Sequence, residues 1–156
     1  MSSKAVLLAD TMLKQDEIMS ELLDNTVRQR EALKGGRLSD LQTLMSELRH
    51  VSVRCQAIET KRSRVAGDIA QEFGCKPVVS EIAIALRDKS AEEAALVEES
   101  AKKMMATVTK LRMEMSILTR LMDEAKTLNE MMISEWRKLS QKSIGMGAMG
   151  TFDTKI

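Results

Sequence analysis

A single uninterrupted spacing constrains the fold of this chain more than any other feature. Between residues 94 and 139, seam positions recur every three and then four residues, and only Asn129 among them is clearly polar. The positions are Ala94, Val97, Ala101, Met104, Val108, Leu111, Met115, Leu118, Met122, Ala125, Asn129, Met132, Trp136 and Leu139. A 3.5-residue average repeat held over about six heptads predicts one long helix with a continuous buried seam. Methionine occupies four positions, which favours a soft surface that accommodates a variable partner.

Composition excludes several classes of protein. Aromatic residues make up only 2% of the 156 residues, which argues against a sandwich or barrel of aromatic-rich strands. The 24 Lys and Arg residues nearly cancel the 23 Asp and Glu residues, so no basic excess points to nucleic acid or to an anionic membrane. Cys55 and Cys75 are too isolated for a disulfide framework or a zinc site. We expect no metal and no cofactor.

The N-terminal segment predicts neither a signal peptide nor a membrane anchor. Its apolar run extends only from Ala5 to Ala9, which is shorter than a signal-peptide core. No stretch approaches the roughly 20 apolar residues of a membrane span. We therefore expect a cytoplasmic protein without stable membrane insertion.

Glycines and capping residues divide the chain into helices. A first helix is predicted over residues 3–34 and ends at the Gly35-Gly36 pair. Ser39 and Gln42 match a capping box for a second helix, which Gly74 closes. Because a loop of about four residues joins two helices of about thirty, they should form an antiparallel hairpin that buries both apolar stripes.

The remaining elements complete an all-α fold. A short third helix is predicted over residues 80–88, after Pro77, and Ser90 with Glu93 forms a second capping box that starts the long last helix. The glycine-rich sequence after Ser143 predicts a flexible tail. We predict an elongated antiparallel helical hairpin plus a short helix and a long C-terminal helix, in a coiled-coil-like bundle, with a helical domain over residues 1–144 and a tail over residues 145–156.

Helix lengths place the candidate binding surface. A last helix of about fifty residues spans roughly 75 Å, whereas each hairpin helix reaches only about 45 to 50 Å. The half from Ala94 to about Leu118 should pack on the second helix, and the half from Met122 onward should lack internal partners. The predicted partner-binding residues in this second half are Met122, Leu128, Asn129, Met131, Met132, Ile133, Trp136 and Leu139. Trp is the residue type most enriched at interface hot spots.

Other motifs favour ordinary structural roles over chemistry. Gly145, Gly147 and Gly150 spell a dinucleotide-type glycine pattern, but no strand precedes it. The carboxylate pairs lie among lysines on a polar helix face. His50, the sole histidine, leaves a phosphotransfer bundle as a remote alternative, although the segment around it lacks a small glycine for an approaching receiver domain.

Asn129 has two interpretations at its seam position. It is a polar residue that fixes helix register at some cost in stability, or it hydrogen-bonds a partner. The main alternative for the whole chain is a structural coiled-coil homodimer or scaffold in which the same seam closes between copies.

The order of these features resembles the FlgN family of flagellar export chaperones. The resemblance is carried by residues 22–33, by the segment Gly36-Arg37-Leu38-Ser39-Asp40-Leu41, and by Leu128-Asn129-Glu130 late in a long helix. It extends from about residue 8 to the tail segment 150–154, which contains Phe152 where the family commonly has Tyr. The family often has a second Asn three residues after the first, and here that position is Met132, so polar recognition rests on Asn129 alone.

The resemblance implies a non-enzymatic cytoplasmic chaperone. Its implied clients are the hook-filament junction proteins, FlgK-like and FlgL-like, bound through their C-terminal segments before export. It also implies docking to the flagellar export gate, and it adds Phe152 to the predicted partner-binding residues. A weak homo-oligomer is compatible with this interpretation.

Overall fold

The computed structural model describes residues 3–144, and side-chain surroundings are given for residues 3–141. This part of the chain contains four helices and no strand, which confirms the all-α prediction. The helices are α1 (Lys4–Lys34), α2 (Leu38–Phe73), α3 (Val79–Arg87) and α4 (Ala91–Ile144). None of them combines the length and the apolar character needed to cross a membrane. The predicted tail, including Phe152, lies outside the described residues.

Serine hydroxyls cap the N-termini of two helices, and the sequence predicted the cap at Ser90. The Oγ of Ser3 accepts a hydrogen bond from the backbone N–H of Val6 at 3.1 Å, and Ser3 is the N-cap of α1. The Oγ of Ser90 accepts from the backbone N–H of Glu93 at 3.3 Å and starts α4. Each hydroxyl satisfies a backbone donor that the first helical turn leaves unpaired.

The predicted capping box at Ser39 is wrong. The N-cap of α2 is Arg37, which makes no side-chain cap hydrogen bond. Ser39 lies inside the first turn of the helix. Gly36 adopts a positive φ of 67°, so the chain reverses quickly enough for the carbonyl of Arg37 to accept the first helical bond, from Leu41. The tight glycine turn therefore starts α2 earlier than the side-chain pattern suggested.

Side-chain bonds between α1 and α2 show an antiparallel hairpin. Lys4 pairs with Glu72, Gln15 donates to Glu59, and Asn25 donates to the carbonyl of Leu44. The residue number of the partner in α2 falls as the residue number in α1 rises, as antiparallel helices require. The hairpin prediction is confirmed.

The chain divides into two compact units, residues 1–118 and residues 119–156, and the boundary falls within α4. In the first unit, the main apolar cluster joins all four helices. Its members are Ala5, Leu8, Ala9, Met12, Val65, Ala66, Ile69, Ile82, Leu86, Ala94, Val97 and Met104. Asp16 accepts from the hydroxyl of Thr107, and Arg30 pairs with Glu114 at 3.0 Å. The first half of α4 therefore runs parallel to α1 and shares its core with α2 and α3.

Candidate functional site

The α4 seam changes its environment along the helix. Most seam residues from Ala94 to Leu118 are buried or half-buried, with Met115 the exception. From Met122 to Leu139 every seam position is exposed. An apolar seam that continues after burial has ended makes this part of α4 a candidate surface for a partner.

The helical period separates the exposed residues of the second unit into two groups. At about 100° per residue, one set of side chains shares a band about 140° wide around α4. We call this band the α4 stripe, and it consists of Met122, Ala125, Leu128, Asn129, Met132, Ile133, Trp136 and Leu139. The rest of the circumference of this segment is mostly charged or polar and includes Asp123, Lys126, Glu130, Arg137 and Lys138. The segment is amphipathic, with a soft apolar face.

Met131 lies apart from the other predicted site residues. It is about 130° around the helix from the centre of the α4 stripe and lies among Glu124, Glu135 and Lys138. Its exposure, 60%, nearly equals the 63% of Met132. The two methionines are adjacent, equally exposed and on different faces, so they form a matched pair for testing the stripe.

Asn129 lies within the α4 stripe and is exposed. Its amide is therefore not a buried register device within the described part of the chain. Among the interpretations offered by the sequence, the exposed position favours contact with a partner. Because an amide both donates and accepts, it can bond a polar group in an otherwise apolar contact.

The structure also shows a groove between α1 and α2 that the sequence analysis missed. It encloses about 840 Å³, and Met19, Leu22 and Cys55 supply apolar side chains to it. Gln15, which lines the groove, falls in the seam spacing of α1 between Met12 and Met19. A polar residue at a seam position is the same signal that singled out Asn129, and it could have identified Gln15.

A polar cluster lies beside this groove. Arg62 donates to Glu59 through two nitrogens, at 2.9 and 2.5 Å, and Gln15 donates to the same carboxylate. The hydrogen bonds from Arg62 hold the pKa of Glu59 below its ordinary value, against the opposing effect of partial burial. Burial, together with the charge of Glu59, raises the pKa of the Cys55 thiol, which makes this cysteine a poor nucleophile at neutral pH.

His50 lies in surroundings that disfavour a phosphotransfer role. It is exposed on α2 and lines a shallow groove with Glu17, Glu21, Asp24 and Glu47. Arg54 also lines this groove, but it is already paired with Glu21 at 2.6 Å. A phosphoryl group on His50 would share this groove with four carboxylates, and like charges around it oppose its formation. Across residues 3–141, no three or more His, Cys, Asp or Glu side chains form a group that could hold a metal ion.

Comparison with known protein families gives a match over nearly the whole chain. The family model described as FlgN protein matches residues 4–151. No curated protein matches the chain, and no solved structure does. The matched region includes the α1–α2 hairpin, α3 and all of α4, and therefore both the groove and the α4 stripe. The chain belongs to the FlgN family of flagellar export chaperones.

Proposed function

We propose that this protein holds hook-filament junction proteins in the cytoplasm before export and delivers them to the flagellar export gate. The proposed clients are FlgK-like and FlgL-like proteins, bound through their C-terminal segments. Family membership supports the chaperone role. The observation that supports this kind of client is the α4 stripe, which exposes large apolar side chains along one face of a continuous helix.

The chemistry of the stripe suits an amphipathic helix. Such a helix buries its apolar face against another apolar surface and leaves its polar side in water. The methionines of the stripe are unbranched and adapt to differently shaped partners, which allows one surface to hold two related clients. Binding would cover the apolar face of the client segment and keep it from self-associating.

Two residues of the proposed site have distinct roles. Trp136 supplies the largest side chain of the stripe, and half-exposed Trp residues often anchor interfaces. Phe152 is proposed as a partner contact on the family resemblance alone.

The matched methionines give a direct test of the stripe. A charge at Met132 would have to be desolvated against the client, so Met132→Asp should weaken capture of a FlgK-like or FlgL-like C-terminal segment by at least about tenfold. Trp136→Ala should weaken it similarly. Met131→Asp adds the same charge one residue away on the polar side and should leave capture within about twofold.

Affinity is measured by isothermal titration calorimetry. Circular dichroism checks that all variants keep their helix content. Equal losses from Met131→Asp and Met132→Asp would point to a general charge effect and not to the stripe. Capture that survives both Met132→Asp and Trp136→Ala would exclude the stripe as the client site.

A further inference from the structure

The α1–α2 groove contains a buried acceptor that lacks a donor. Gln15 is only 2% exposed, and its Oε1 receives no hydrogen bond from the residues that the structure describes. A buried carbonyl oxygen without a donor is unfavourable, and most buried polar groups in folded proteins have a partner. The groove is therefore suited to an occupant that brings an N–H or O–H to this point.

The orientation of the Gln15 amide follows from its neighbour. Its Nε2 donates to the Oε2 of Glu59, which also accepts from Arg62. An ionised carboxylate only accepts hydrogen bonds, so Gln15 must present its nitrogen to Glu59, and its oxygen is the atom left without a partner at the wall of the groove. The acceptor is therefore fixed by two neighbouring side chains and is not free to exchange places with the donor.

The groove surface limits the type of occupant. Apolar side chains supply most of the groove surface, and neutral polar and charged side chains supply the rest. The apolar residues are Met19, Leu22 and Cys55, the neutral polar residues besides Gln15 are Ser52, Gln56, Thr60 and Ser63, and the charged residues are Glu59 and Arg64. An apolar helix face with one amide near its centre would complement this surface. The chain itself has such a face, since the α4 stripe surrounds Asn129 with Met122, Met132 and Leu128.

We propose that, without a client, the α4 stripe of one copy lies in the α1–α2 groove of a second copy, with the Asn129 amide donating to Gln15 Oε1. Each copy has both surfaces, so the stripe of every copy can find a groove on another copy. This inference builds on the proposed function, because the stripe that would bind the client is covered by the second copy. Client binding and self-association then compete, and the free chaperone does not leave its apolar face in water.

Cys55 makes the proposal testable without any client. In a Cys75→Ala background, Asn129→Cys places one new thiol on the stripe while the native thiol of Cys55 remains in the groove. We expect oxidation with copper phenanthroline at alkaline pH, where more of the Cys55 thiol is ionised, to give a disulfide-linked dimer through residues 55 and 129. Glu130→Cys is the control, because it moves the thiol about 100° around the same helical turn. The 129 variant should cross-link at least about tenfold faster than the 130 variant.

Isotope labelling distinguishes contacts between copies from contacts within one copy. In an equal mixture of ¹⁴N and ¹⁵N protein, half of the cross-linked peptides should have mixed labels. The absence of cross-linked peptides with mixed labels would overturn the proposal. Equal rates of cross-linking from residues 129 and 130 would also overturn it. The same holds if sedimentation shows only monomer at the concentrations used for cross-linking.

The hydrogen bond itself is tested by measuring the dissociation constant of the dimer for variants of the two side chains. Gln15→Met removes the acceptor and Asn129→Leu removes the donor, and each should weaken self-association up to about tenfold. Because each variant leaves the other group buried without a partner, the double variant should lose less than the product of the two effects. Independent, multiplying effects would show that the two side chains do not meet.

These outcomes are separate from those of client binding. If copies do not associate but Met132→Asp abolishes client capture, the proposed function stands and the self-association model fails. If Gln15→Met weakens client capture and the protein is monomeric, a client helix occupies the groove instead, which also overturns the second-copy model. If copies cross-link as expected and clients bind independently of the stripe, the chaperone site lies elsewhere.

Discussion

Asn25 and Gln29 show how single polar residues set the register of the hairpin. Asn25 Nδ2 donates to the carbonyl of Leu44 at 2.9 Å, and Asn25 Oδ1 accepts from Gln29 at 2.6 Å. Both side chains are buried. A sliding of α2 past α1 by one turn would leave these groups without partners in the interior, so the pair opposes shifted packings of two otherwise similar helices.

Replacing Asn25 therefore should destabilise the fold. Asn25→Ala removes the bond to α2 and leaves the amide of Gln29 without its acceptor, and we expect the free energy of unfolding to fall by about 1 to 3 kcal/mol. Urea unfolding followed by circular dichroism measures this change. The matched control is Asn129→Ala on the exposed stripe, which should change stability by less than about 0.5 kcal/mol when both variants are unfolded at a concentration where the protein is monomeric. A comparable loss from both variants would contradict the assignment of the buried bond to register.

Gly35 and Gly36 end α1 and turn the chain into α2, but they differ in what they require. Gly36 has a φ of 67°, in the left-handed region, whereas Gly35 has a φ of −84°. A side chain on Gly36 would meet nothing within 4 Å, so any penalty there comes from the backbone and not from a clash. Only the second glycine is conformationally required.

The same substitution at the two glycines should consequently have different effects. Gly36→Ala places an L-residue in the left-handed region and should lower the free energy of unfolding by about 1 kcal/mol. Gly35→Ala keeps an accessible backbone conformation and should be neutral or slightly stabilising, because it reduces the freedom of the unfolded chain. Thermal and urea unfolding of both variants give the comparison. A larger loss at Gly35 would show that the turn depends on packing and not on the sign of φ.

Helix existence and direction could be predicted from the sequence, because periodicity and short loops determine them locally. A helix start could be predicted where a hydroxyl cap supplies the signal, as at Ser90. The start of α2 could not, because its position follows from the backbone conformation of Gly36, which overrides the Ser39 pattern. The groove was missed for a different reason. Whether Gln15 is satisfied depends on Glu59, which lies 44 residues further along the chain, and a linear pattern contains no information on that pairing.

The two units of the molecule use one helix for different purposes. In residues 1–118 the α4 seam contributes Ala94, Val97 and Met104 to the main core. In the part of residues 119–156 that the structure describes, large apolar side chains are exposed, and Ser140 is the one residue whose side chain is known to be buried. A helix segment that lacks buried apolar contacts opens more readily than one packed in a core, so local stability should differ along α4.

Hydrogen exchange should show this difference in local stability along α4. It should also show that a bound client reduces the difference. In the free protein at low concentration, amides of residues 94–111 should exchange slowly, and those of residues 122–139 should exchange at least about tenfold faster, which corresponds to about 1.4 kcal/mol of local stability. A saturating FlgK-like or FlgL-like C-terminal segment should slow exchange over residues 122–139 and leave residues 94–111 nearly unchanged, since binding stabilises only the segment it contacts. Mass spectrometry of peptic fragments resolves the two segments. The Met132→Asp variant provides the control, because its second segment should stay fast when the same client is added. Protection confined to residues 94–111 would place the client on the first unit.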